Sequence, residues 1–503
     1  MSTHPSQELH RRQIKESRNG SVVSRDKEDE NSQASKNICY FGPDLPEDIL
    51  QHIHSLMSLR DAGRAACVCR SLLSSWRRHP NLILTMEKLG YFDFTRKVDR
   101  ILRKHSGIGV KKLNLEFGEC YNVNASNYLD RWLQIAVTPE LEELTLKLYS
   151  HEISYELNYK FPCSLLSDGR GSSVKHLELQ CCSFRPTVQL DSLGSLTRLH
   201  LCYVRITGDE LGCLFSNSVV LEQLVLSNCR EIVCFKIPCC LRRLSYLHVY
   251  GCDRMRQIQN KAQNLQSIFL RNFPALQTPE ESLQLGELLL LKNIYMWCFN
   301  VAYHARAELP PIAPNVETLT VGSLFETVNT PMASSKFLHL KSLTIQLGRL
   351  NVAPTYDYFF LASFIDASPS LESFSLSVLP ELMEHDSIFG GFPSDSRQML
   401  QHGHQSLRSL QITCFCSARS LVELICHILE NTPSLECVRL DTTLGVSRCS
   451  DNNSEICLPM TRRSVTDAQK ALLVIDTYIK PKVPHTAQLN VVEPCRRCHA
   501  VEP

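Results

Sequence analysis

The sequence predicts an α/β chain: a short three-helix module, an irregular solenoid of strand-forming repeats with a curved parallel sheet, and a C-terminal helix–strand cap. Three observations predict it. One pattern, apolar-x-x-apolar-x-apolar, recurs between residues 82 and 445. A compact stretch with helical periodicity precedes it, and a single amphipathic helix with a short alternating run follows it. The divisions are therefore a tail over 1–40, the helical module over 41–81, the solenoid over 82–445, and the cap and tail over 446–503.

Residues 1–40 are polar and mixed in charge, so a disordered tail is expected. Arg11-Arg12 is too thin for a nuclear signal. The module runs from Gly42 to Pro80. Pro46 suits a first helical position, where its missing N–H costs nothing, and Glu47 and Asp48 favour the positive end of a helix dipole. Ile49, Leu50, Ile53, Leu56 and Met57 then share one helix face. A second helix is expected to start near Arg60 and carry Ala65, Ala66 and Val68. A third carries Cys69, Leu72, Leu73 and Trp76 and stops before Pro80, since the residue preceding proline disfavours the helical region. So short a stretch cannot bury much of its own surface. It is either the end cap of a larger fold or a partner-binding module.

The repeated pattern has its clearest copies at anchors Val110, Leu141, Val174, Leu196, Leu221, Leu244, Leu265, Leu285, Val316, Leu340, Leu371, Leu407 and Leu435. VKKLNL, LEELTL and VKHLEL show the form. It matches the strand of a leucine-rich repeat, in which positions four and six enter the core and neighbouring strands stack in parallel. The period-two alternation excludes a long amphipathic helix. A sheet of unrelated strands would not repeat one pattern so often. Pro139, Pro314, Pro369 and Pro433 each precede an anchor by two residues, ending a helix and presetting the extended approach to the strand. The runs 361–368 and 420–432 are helical, so late repeats read as helix, turn, proline, strand. Early repeats are expected to be shorter, with little more than a turn opposite the strand.

The third, fifth and seventh positions of each copy should face the concave side. These are Tyr246, His248 and Tyr250 in one copy, and Ser267, Phe269 and Arg271 in the next. Ser342, Thr344 and Gln346, then Ser373, Ser375 and Ser377, follow later. Tyr, Phe and Arg are favoured interface anchors, which makes Tyr246 to Arg271 the candidate target-binding surface. The alternative is that these are ordinary exposed sheet residues. In the tail, Ser464 reads as an N-cap with Asp467 three residues on. Val465, Ala468, Leu472, Ile475 and Ile479 continue as a helix ending at Pro481. Leu489 and Val491 alternate as a short strand, completing the cap that an open solenoid needs.

Bulk properties narrow the function. With 53 basic and 52 acidic residues, no basic field calls for nucleic acid or an anionic membrane. No apolar run is long enough for a membrane span, and no signal-peptide core is expected. The 23 cysteines are irregularly spaced and read as reduced thiols, which places the chain in cytoplasm or nucleus. Cys495, Cys498 and His499 fit a haem-attachment pattern formally, but nothing supports an oxidising assembly route. Cys495 and Cys498 have zinc spacing, with His499, His402, His404, Cys414 or Cys416 as possible completions, but two ligands of four are not a site. No metal, no cofactor and no catalytic residue is therefore assigned. No phosphate loop or nucleophile motif anchors an enzymatic reading.

Leu45-Pro46-x-x-Ile49-Leu50-x-x-Ile53, Leu59-Arg60-Asp61, Arg64-Ala65-Ala66-Cys67-Val68-Cys69-Arg70 and Trp76 resemble an F-box, with Cys69 where that family commonly has serine. The resemblance implies docking on a Skp-type adaptor, and through it on a cullin scaffold, with Leu45, Pro46, Ile49, Leu50, Ile53 and Val68 as adaptor contacts. The segments FTRKVDRILRKHSGIGVKKLNLEF and YIKPKVPHTAQLNVVEPCRRCH, with the stretch RQMLQHGHQSLRSLQITCFCSARSLVELICHILENTPSLECVRLDTT, resemble a plant, grass-type F-box/leucine-rich-repeat family, from about Gly42 to His499. That implies a non-catalytic, substrate-recruiting subunit of a Skp–cullin–F-box ubiquitin ligase acting on an unidentified target protein. A Skp-binding scaffold outside a cullin ligase and a small-molecule-dependent receptor are the alternatives.

Overall fold

The computed structural model describes residues 45–495 apart from 69, 119–124, 150–158, 187–192, 272–284, 286–287, 327, 353–355, 379–386, 390–402, 444–456 and 458–459. The tail expected to be disordered, and Cys69, lie outside the described residues. Two compact units divide the chain, Met1–Leu45 and Pro46–Pro503. Of the first, only Leu45 is described.

The module folds as α1 (Glu47–Leu56), α2 (Leu59–Ala65) and α3 (Arg70–Trp76). Pro46 stands one position earlier than its sequence suggests. It has extended geometry as the N-cap of α1, and its carbonyl accepts from Leu50 N–H. Ser58 caps α2 by accepting from Asp61 N–H at 3.1 Å, which fixes the start at Leu59 rather than Arg60. Ala62, Leu72 and Trp76 are buried, while the face of α1 bearing Ile49 and Ile53 is not.

The module passes directly into the sheet. Asn81, in the first strand, donates to Ser55 O at 3.2 Å, and Arg78 pairs with Glu47 at 3.1 Å. Three buried histidines sit at this junction. His79 accepts from Asn81 N–H, and the His105 ring contacts His79 O. Burial lowers the basicity of His54, His79 and His105. Their neutral forms suit the fold, so the stability they contribute is held above the ordinary histidine range and lost as pH falls through the folded values.

Among the described residues, fifteen parallel strands form one sheet in chain order, from Asn81–Thr85 to Gln488–Val492. Each step is built the same way. The residue after an anchor offers its carbonyl to two N–H groups of the next repeat. Lys111 O accepts from Glu142 and Glu143, Glu142 O from Lys175 and His176, and so on to Arg408 O. The staircase begins at Pro80 O, which accepts from Lys111 and Lys112. Charges at this position alternate. Glu142 pairs with Lys175 at 2.8 Å, Glu317 with Lys292 at 3.0 Å and Lys341 at 3.3 Å, and Glu436 with Arg408 at 3.1 Å. These exposed pairs are individually weak, but like charges at the same places would oppose the register.

The eighth anchor is Leu291, not Leu285. The strand Asn293–Cys298 pairs Asn293 with Ser267 and Thr318, and Lys292 occupies the carbonyl step. The run from Leu283 to Trp297 offers several apolar registers, and the earliest one misleads. Leu285 and Leu288 are buried in the approach to the strand, whereas Leu289 and Leu290 stay exposed. The early repeats are also not the short ones. Helices Phe94–Lys104 and Ala125–Ala136 separate the first three strands. The compact repeats lie mid-chain, where a two-stranded sheet, Cys234–Ile237 with Gln257–Asn260, buries Phe235 and Ile258 in the common core. Cys229 and Cys252, two residues past their strands, are buried thiols donating to backbone carbonyls of their own and preceding repeats.

At the end, Thr461 rather than Ser464 is the N-cap. It accepts from Ser464 N–H at 3.1 Å, and the helix is Arg462–Val474. The strand carrying Leu489 and Val491 pairs in register with Cys437–Asp441 and is the fifteenth of the sheet. It extends the solenoid as well as ending it.

One buried acid gives the fold a pH dependence. Glu326, fully buried, accepts from Ala302 N–H at 2.9 Å and so caps the helix Val301–Ile312. Desolvation raises its carboxyl from 4.5 to about 7. The unfolded state loses this proton first, so stability falls as pH rises from 4.5 through 7, by roughly 3 kcal/mol at the upper limit. Glu326→Gln is expected to remove that slope. Denaturant unfolding at pH 5 and pH 8 should show the variant gaining on the wild type at pH 8. The histidine contributions are common to both chains and cancel in the comparison.

Candidate protein-interaction surfaces

The first surface is the outer face of α1 with the turn after α2. Ile49 is 42% exposed, Ile53 40%, Leu56 75% and Val68 56%. Pro46 is exposed and Leu50 half-buried. Leu45 is also exposed. The amphipathic spacing of α1 would normally turn these side chains inward. Here α3 takes up the opposite side, where His54 is buried, and the apolar face remains open. Leu56 is the most exposed of the set. Sequence periodicity places it on this face, but the family motif does not count it as a contact.

The second surface is one face of the sheet. In the strand Tyr246–Tyr250, Leu247 and Val249 are buried while Tyr246, His248 and Tyr250 are half-exposed. Ser267, Phe269 and Arg271 stand opposite them in register, with Ile268 and Leu270 buried. All six candidate residues therefore share one face. Tyr295 and Trp297 of the next strand complete the group, and the misplaced anchor hid both.

These side chains form a block. The His248 and Phe269 rings are 4.1 Å apart, and Phe269 and Tyr295 stack at 4.1 Å and 3°. The Arg271 guanidinium lies 5.4 Å from both the Tyr250 and the Trp297 rings. Trp297 rests directly over Gly322, where a Cβ would come within 2.1 Å of the indole ring. Burial lowers the basicity of His248 and raises the Tyr246 and Tyr295 hydroxyls, so Arg271 is the charge of this block at neutral pH. Toward the N-terminus the face becomes charged, with Lys112–Glu143 at 2.9 Å and Lys147–Glu178 at 3.1 Å. Toward the C-terminus it carries small polar residues such as Thr320, Thr344 and Ser375.

Among the described residues weighed for zinc, His404, Cys414, Cys416 and Cys495 do not gather into a metal-ligand group. His404 spends one ring nitrogen on Ser368 O and accepts from Leu407 N–H with the other. Cys416 is buried and its thiol is pushed up to about 11, away from the thiolate that a metal needs. Cys498, His499 and His402 lie outside the described residues.

An F-box domain model matches residues 43–84. The model of the At1g61320/AtMIF1 leucine-rich-repeat domain matches residues 101–496, most of the chain. The chain belongs to the plant F-box/leucine-rich-repeat family. This F-box/leucine-rich-repeat chain is 24% identical over 423 residues to the F-box/FBD/LRR-repeat protein At1g13570 of Arabidopsis thaliana, covering 80% of this chain and 92% of that protein. It is 25% identical over 300 residues to the F-box/LRR-repeat protein At5g02910, also of Arabidopsis, covering 57% and 60% of the two chains. A third relative, the FBD-associated F-box protein At1g66310, is 28% identical over 199 residues, covering 37% and 40%. These relatives carry the plant assignment and not the narrower grass one.

Proposed function

We propose that this F-box/leucine-rich-repeat protein is the target-recruiting, non-catalytic subunit of a Skp–cullin–F-box ubiquitin ligase, working in cytoplasm or nucleus. The observation that carries the reading is the open apolar face of α1 in a module with F-box sequence. Leu45, Pro46, Ile49, Leu50, Ile53 and Val68 are the adaptor contacts in this reading. Tyr246, His248, Tyr250, Ser267, Phe269 and Arg271 hold the target protein. The mechanism is proximity: a target held on the sheet face sits at high effective concentration beside the ubiquitin carrier. Reconstitution tests it. The full chain, a Skp-type adaptor and a cullin are expected to co-elute as one complex, with cullin recovered only when the adaptor is present. Recovery of the adaptor without cullin, under conditions where a control F-box protein assembles fully, would overturn the ligase role and leave a scaffold.

A further inference from the structure

The charged end of the same sheet face holds a donor set that the recruiting role does not use. His176 and Glu178 are at the third and fifth positions of one repeat, and His200 is at the fifth of the next, directly opposite Glu178. Their ligand atoms all lie within 4.8 Å of one another. His200 Nδ1 is 3.9 Å from Glu178 Oε1, and the two imidazoles meet edge to face at 6.2 Å. Neither ring makes a hydrogen bond with another described residue, so both can offer a lone pair. Alternation on a strand puts all three on one side of the sheet, which backbone pairing holds in place.

We infer that His176, Glu178 and His200 form a binding site for a zinc-class divalent ion on the sheet face. Two imidazoles and a carboxylate are a donor set for Zn²⁺ or Co²⁺, with bonds of about 2.0–2.2 Å. Three protein ligands leave coordination positions open toward the solvent side of the face, where a side chain of a bound protein can complete the shell. Two cations oppose the ion. Lys147 holds Glu178 Oε1 at 3.1 Å, and Arg198 stands beside His176 in the neighbouring strand. Thr145 Oγ1, 3.5 Å from Glu178 Oε2, steadies the other oxygen. The ammonium of Lys147 must leave when the ion enters, which makes that lysine a diagnostic position.

The test is titration of the full, reduced, chelator-treated chain with Co²⁺ alone, followed by absorption. The chain is expected to bind one equivalent with weak ligand-field bands and without the intense near-ultraviolet bands of cobalt–thiolate bonds. His176→Asn with His200→Asn should weaken binding roughly tenfold or more, while His339→Asn, exposed and outside the cluster, should not. Lys147→Met should tighten it several-fold, a gain that misfolding cannot produce. Thiolate bands alone, wild-type affinity in the double histidine variant, or unchanged affinity in Lys147→Met would each overturn the site.

Discussion

Ile49→Asp combined with Ile53→Asp is expected to abolish co-purification with a Skp-type adaptor and leave the fold intact. Both side chains project from α1 and are 42% and 40% exposed, so neither supports the core. Substitution at such positions ordinarily changes stability by less than about 0.5 kcal/mol. In a docked complex the same positions would be desolvated. Each substitution removes an apolar anchor and buries a carboxylate without a partner, which costs several kcal/mol. At about 1.4 kcal/mol per tenfold, the pair should weaken binding by roughly a thousandfold or more. Calorimetric titration beside a melting curve reads both quantities. A double variant that melts like the wild type and still binds would remove the docking assignment of this face.

Arg306→Met is expected to be the most damaging single substitution in the solenoid. Arg306 projects from the helix Val301–Ile312 and is 3% exposed. Its Nε donates to Ser363 O at 3.0 Å and one Nη to Ser335 O at 3.0 Å, while the other Nη serves Ala333 O. Two segments, 333–335 and the helical stretch holding Ser363, are thus tied to one guanidinium. Methionine fills similar space but donates nothing, leaving one buried and two part-buried carbonyls without this donor. The loss should be about 3–5 kcal/mol. Arg306→Lys should restore only part of it, because an ammonium cannot span three acceptors fixed for a planar fork. Repeat arrays unfold by segments, so hydrogen exchange around residues 330–365 is the sensitive readout. Unchanged protection there in Arg306→Met would refute the assignment.

Local pattern made most of the architecture legible. Period-two alternation located the strands because it reflects a face each strand must bury. It failed at Leu285 because a run of leucines satisfies several registers at once. The charge step at Lys292 resolves that ambiguity, and with it Tyr295 and Trp297 join the aromatic block. The helices before the second and third strands went unread because spacing alone does not say what fills it. Thr461 and Ser464 are both good caps, and the helix starts at Arg462, with Thr461 accepting from Ser464 N–H. Arg306 and Glu326 were illegible for another reason. Their partners, Ser363 and Ala302, lie 57 and 24 residues away, and nothing local announces them. The proposed adaptor contacts were placed by motif, and Leu45, Ile49, Ile53 and Val68 among them are exposed.

The alternating charges of the carbonyl staircase give the array a parity. From Lys292 through Glu317, Lys341, Glu372 and Arg408 to Glu436 the sign changes at every repeat. Removing or duplicating one repeat in this half sets like signs side by side and replaces attraction with repulsion at the new seam. Each contact is worth only about 0.2–1 kcal/mol, but both staircase neighbours of a repeat are affected. Units of two repeats can be gained or lost without that penalty. Ser245 and Gln266, beneath the aromatic block, carry no charge at the same step. The middle of the array is therefore where a single repeat can be inserted or lost at least cost.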